Sequence, residues 1–151
     1  MVGLRLVFIA FCVIACIAPV RAATSPVYDA CLANAKTQTA ITTCAAEELT
    51  RAEHGLNLVY ANLIHTLAGH PDSIARIRAA QRAWIAYRDA YLEAMYPAKA
   101  KQAEYGSVYP MEADLDLADV TRQQTIALTH MLKAAIGCHN SNGGCVHPSL
   151  K

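Results

Sequence analysis

From Pro26 onward the apolar residues return every three or four positions, and no stretch alternates apolar with polar at period two. The pattern predicts helices throughout. A short first segment, about 26–35, opens with Ser25 as a cap and Pro26 at the first helical position, and it places Cys31. The second, about 39–67, carries the stripe Ile41, Cys44, Ala45, Leu49, Ala52, Leu56, Tyr60, Leu63 and Leu67 before Gly69-His70-Pro71 breaks it. The third starts at an Asp72 or Ser73 cap and runs to about 95, with Ile74, Ile77, Gln81, Trp84, Arg88, Tyr91 and Met95 on its stripe, and Pro97 stops it. Lys99 to Tyr109 is polar, contains Gly106 and reads as a long connection. The fourth segment, about 111–136, carries Leu115, Leu117, Val120, Ile126, Leu128, Met131 and Leu132, with Gly137 as its stop.

A helix of about 28 residues spans about 42 Å. Two of that length joined by Gly69-His70-Pro71 should lie antiparallel, with the fourth segment packed across them. The expected fold is therefore all-α, a small elongated helical bundle built on a long antiparallel helical hairpin. So small a core gains from disulfide staples.

The N-terminus changes the picture of where this domain works. One cation at Arg5, an apolar run from Leu6 to Ala18 and the small-residue exit Val20-Arg21-Ala22 read as a secretory signal peptide cleaved after Ala22. The run is shorter than the roughly 20 apolar residues of a membrane-spanning helix. A second reading takes Val13-Ile14-Ala15-Cys16 as a lipobox, with Cys16 the lipidated first residue and the envelope membrane its anchor. Soluble export fits the segment better. The expected division is 1–22 signal peptide, 23–137 helical domain and 138–151 a Cys- and Gly-rich tail, placed in the periplasm or outside the cell.

Charge narrows the partners. The 151 residues hold 13 Lys+Arg and 12 Asp+Glu, a net +1 that cleavage turns slightly negative by removing Arg5 and Arg21. That excludes a polybasic nucleic-acid binder. Cleavage also removes Cys12 and Cys16. The remaining Cys31, Cys44, Cys138 and Cys145 suggest two disulfides, with three pairings open.

Candidate chemistry is sparse. Gln81 and Arg88 lie on a stripe that should be buried, with Trp84 between them. A buried guanidinium without a partner would cost several kcal/mol, so Arg88 should meet Glu53, Asn57 or Asp89. Glu53, Asn57, Gln81, Arg88 and Asp89 are read as a structural polar network that locks the register of the hairpin. The six histidines form no His-Glu-x-x-His motif. Cys138-His139 and Cys145-x-His147 resemble a metal knuckle, but in an oxidising compartment a Cys138–Cys145 disulfide fits better than zinc. Glu47-Glu48 and the Asp114/Asp116 pair read as solvated faces. No serine sits in a Gly-x-Ser-x-Gly setting and there is no phosphate loop, so no catalytic residue, metal ligand or cofactor is assigned and a non-enzyme is expected.

One series of motifs is more specific. Cys31-x12-Cys44, Glu53-x-x-Leu56-Asn57-x-x-Tyr60, Ala80-Gln81-x-x-Trp84-x-x-Tyr87-Arg88-Asp89 and Thr121-Arg122 follow one another in that order. Together they resemble the lysozyme inhibitor LprI-like family, over roughly 28–133. The resemblance implies a small exported helical domain of bacterial envelopes, a disulfide between Cys31 and Cys44, and inhibition of a lysozyme-type glycoside hydrolase by non-covalent binding, which protects peptidoglycan. The alternative is an envelope binding module for another protein or cell-wall partner. A lysozyme works with two carboxyl groups in a cleft, and a narrow end of the hairpin suits such a cleft. The candidates are the Ala68 to Ser73 turn and the Lys99 to Pro110 connection, where Lys99, Lys101, Tyr105 and Tyr109 stand beside Glu112 and Asp114. Asp116 and Asp119 extend that acidic stretch, which could steer a basic partner.

Overall fold

The computed structural model describes residues 24–140, with side chains as far as residue 137. Its elements are α1 (Pro26–Asn34), α2 (Gln38–Thr66), α3 (Pro71–Met95), α4 (Lys101–Tyr105), a 3-10 turn (Gly106–Val108) and α5 (Tyr109–Asn140). The leader over 1–22, the lipid site at Cys16 and the Cys138–Cys145 bridge lie outside what is described. No helix among the described residues is long and apolar enough to cross a membrane.

Local chemistry sets the helix starts. The Ser25 hydroxyl accepts from the Tyr28 N–H at 3.1 Å, and Pro26 takes the first helical position. Thr37 caps α2 by accepting from the Ala40 N–H at 3.2 Å. α3 begins two or three residues earlier than expected. Pro71 is at its start, His70 holds the cap position without a side-chain cap bond, and Asp72 sits in the first turn, where its charge favours the helix dipole. The 99–109 stretch is not an open connection but a short helix and a 3-10 turn. Gly106, at φ +74°, ends α4 in a conformation glycine adopts freely. Gly137 does not stop α5, which continues to Asn140.

The principal packing partner of α2 is α5. Leu56 and Leu63 of α2 meet Leu128 and Ala135 of α5, while Cys44 and Ala45 meet Met111 and Leu115. The pairs occur in the same order along both helices, so α2 and α5 run parallel. Ala45 and Ala52 on one side, with Ala113, Ala118 and Thr121 on the other, are all buried. Such small side chains let helix axes come close.

α3 returns antiparallel to both. Arg88 reaches back to Glu53, Gln81 bonds to Gln124 and Tyr96 bonds to Asp116. The hairpin is thus present, but α5 lies along it rather than across it, and the expected burial of the α3 stripe is corrected. No residue of α3 is buried. Ile77 and Trp84 pack partly against the Leu56/Leu63 cluster. Gln81 and Arg88 interrupt the apolar stripe, and polar groups at those positions keep α3 from closing down on the core.

Glu48 requires a second correction. The Glu47-Glu48 pair is split: Glu47 is exposed, whereas Glu48 is 1 % exposed, at the junction of three elements. It accepts from the Ser25 N–H at 3.0 Å and the Ser25 hydroxyl at 2.5 Å. Arg51 donates to it at 3.0 and 3.1 Å, and Arg122 of α5 at 2.8 Å. Arg122 also bonds to Asp119. One carboxylate therefore joins the α1 cap, α2 and α5.

Candidate functional site

Holding α3 off the core opens a cleft of about 550 Å³ between α2 and α3. Its floor is Leu56, Tyr60 and Trp84, which belong to the core cluster, with Ile85 exposed beside them; its walls are Glu53 and Asn57 from α2, with Arg78, Gln81, Arg82 and Arg88 from α3. The periodicity of both helices delivers this set. Glu53, Leu56, Asn57 and Tyr60 share one face of α2, and Arg78, Gln81, Arg82 and Ile85 share one face of α3.

The expected polar network is divided by the structure. Arg88 pairs with Glu53 at 3.4 Å and Asp89 at 3.2 Å, and its guanidinium lies 5.6 Å from the Trp84 ring centre. That group clamps one end of the cleft. Gln81 lines the cleft but bonds to α5 rather than to α2, its Oε1 accepting from Gln124 Nε2 at 3.0 Å. Asn57 is exposed on the cleft wall. The residues are brought together around an opening, not in a sealed seam. Arg78 and Arg82 belong to the same wall, and the sequence reading missed them. Their signal was a run from Arg76 to Arg88 that holds four arginines and no acid.

The other candidate region, at the far end of α3, is a knot of tyrosines. The rings of Tyr96, Tyr105 and Tyr109 lie 5.0–5.9 Å apart. Tyr96 is buried and its hydroxyl donates to Asp116 at 2.8 Å; burial first, and then that bond, push the phenol well above its ordinary value. The Ala98 N–H donates to the Tyr105 hydroxyl at 3.2 Å. Lys101 donates to Glu93 at 2.9 Å and to the Tyr96 carbonyl at 2.8 Å, and the Glu93 bond raises its pKa. Lys101, Tyr105 and Tyr109 are therefore engaged within the domain, while Lys99, Glu104 and Glu112 are exposed. Asp114 is half-buried; burial and then the charge of Glu53 push its carboxyl above the ordinary 3.8. Tyr96→Phe removes one hydrogen bond to a charged acceptor and is expected to cost about 1.5 kcal/mol. The urea midpoint checks this, and an unchanged midpoint would remove the bond from the account of this end.

Taken together, these features define a small helical domain pinned by a Cys31–Cys44 disulfide. The model of the lysozyme inhibitor LprI family matches residues 30–128, and the chain belongs to that family. It is also similar to an uncharacterised protein of Rhizobium meliloti (strain 1021), with 28 % identity over 103 residues, covering 61 % of this chain and 71 % of the relative. No solved structure matches.

Proposed function

We propose that this chain is an exported envelope protein that inhibits lysozyme by non-covalent binding and so protects peptidoglycan. The family match over residues 30–128 is the observation that carries the reading. Export is supported by the Cys31–Cys44 disulfide, which suits an oxidising compartment, and by the leader-like pattern of 1–22. The enzyme's two carboxyls lie in a concave cleft, so the contact surface should be convex. The end formed by α4 and the start of α5, beyond the last turn of α3, is the surface proposed for that contact. Its tyrosine knot holds the backbone in place before binding, which lowers the ordering cost of association. Glu104 and Glu112 are exposed there and favour approach by a basic partner.

The test is the clearing of a cell-wall suspension by lysozyme in the presence of the purified domain. Protection should saturate at stoichiometric domain and weaken in the Glu104→Lys/Glu112→Lys variant, more so at low ionic strength. Unimpeded clearing at excess folded domain would overturn the reading. Full protection by the charge-reversed variant would move the contact surface elsewhere.

A further inference from the structure

We propose that the α2–α3 cleft is a separate binding site for a small N-acylated organic acid. The argument begins with charge. Arg88 is neutralised by Glu53 and Asp89, but Arg78 and Arg82 have no acidic partner among the described residues. Two unpaired guanidinium groups on one wall of a recess attract an anion, and their planar forks suit a carboxylate.

The second part is the floor. Leu56 is 4 % exposed, and Trp84 packs on the same cluster, so the bottom of the cleft is apolar and firmly supported. A bare anion gains nothing from such a floor; a compact apolar group does.

The third part lies between floor and arginines. Because Gln81 Oε1 accepts from Gln124, the Gln81 side-chain N–H groups remain as donors for a ligand. Asn57, across the cleft, offers both a donor and an acceptor. Amide donors and acceptors placed between a cationic wall and an apolar floor match an acyl-amide next to an acid. Two kinds of molecule share that chemistry, an N-acetylated acidic sugar and an N-acyl amino acid. The volume of about 550 Å³ falls within the range of about 300–1,000 Å³ usual for small-molecule sites.

The cleft is lined by α2 and α3, whereas the contact proposed for lysozyme is made by α4 and the start of α5. The proposal therefore stands apart from lysozyme inhibition.

Trp84 is the single tryptophan of the chain and lines the cleft, so its fluorescence reports occupancy directly. The experiment titrates the folded protein with N-acetylmuramic acid and, in a second arm, with N-acetyl-leucine. N-acetylglucosamine, which lacks the acid, and acetate, which lacks the amide, serve as controls. A saturable change with either acid and a much weaker one with both controls supports the proposal, and the arm that responds identifies the source. The Arg78→Gln/Arg82→Gln variant should bind at least about tenfold more weakly. Both arginines are exposed, so the variant should keep its circular dichroism, and it should keep its protection of cell walls in the clearing assay. No response to either acid, an equal response to acetate, or undiminished binding by the double variant would overturn the proposal. Loss of protection by that folded variant would refute the separation of the two surfaces.

Discussion

Glu48→Ala is expected to lower the stability of the domain by about 3 kcal/mol and the Tm by roughly 10 °C. Removing one member of a buried ion pair typically costs about 3–5 kcal/mol, because the partner charge is left without compensation. The lower end applies because the Arg51 and Arg122 side chains keep 33 % and 26 % of their surfaces exposed and regain some hydration. The Ser25 N–H and hydroxyl would lose their acceptor as well. A double-mutant cycle with Arg122→Ala isolates the tie between α2 and α5 and should give a coupling of about 2 kcal/mol. A coupling near zero would mean that the α5 contact is incidental and that the effect comes from the Ser25 cap and Arg51.

The same carboxylate sets an acid limit. Burial by itself would raise the Glu48 pKa, but the Ser25 bonds, the Arg51 bond and the Arg122 charge outweigh it and hold the group below its ordinary value of 4.5. A carboxyl depressed in the folded state contributes stability above its unfolded pKa and loses it as pH falls through the folded value. Melting curves should therefore show stability falling below about pH 4.5, with a flatter profile in Glu48→Gln. Asp114 acts in the opposite direction. Its raised pKa favours the protonated folded form, so its contribution is present at low pH and lost as pH rises through the folded value. A profile in Glu48→Gln as steep as that of the parent would assign the acid limit to other groups.

The helices were legible because their signals are local: Ser25-Pro26, the break at 69–71, Pro97, and the three-four spacing of α2. The partner of each face was less so. Periodicity shows that a helix has an apolar stripe but not which neighbour covers it, and α2 spends its stripe mainly on α5. Glu48 illustrates the limit. Its place between Glu47 and Leu49 gives no sign of burial: Arg51 is close in sequence, but the Ser25 donors and the Arg122 charge that complete its shell come from 23 positions before and 74 after. Arg88 was the reverse case. Its position among apolar neighbours signalled a need for a partner, and Glu53 and Asp89 supply it. That α3 stands off the core and leaves a cleft depends on the packing of three helices together, which no single stripe encodes.

Replacing both Cys31 and Cys44 by serine is expected to remove about 3 kcal/mol, the loop-closure contribution of a bridge across a segment of this size. The bond spans 13 positions and joins α1 to α2 beside the buried Tyr28 and Ala45. α1 has only 9 residues, too few to hold a helix in water without tertiary support. Its amides should consequently exchange with solvent much faster in the serine variant, while those of α2 near Leu63 stay protected. The two large effects are also coupled. Cys44 lies one turn before Glu48, and Ser25, which supplies two of the Glu48 bonds, caps the helix that the disulfide holds down. Once α1 is loosened, those two bonds are already weakened, so adding Glu48→Ala to the serine variant should cost about 1 kcal/mol less than it does in the parent. Strict additivity would show that the Ser25 cap stays seated on Glu48 without the bridge, and that the disulfide acts on the unfolded chain alone.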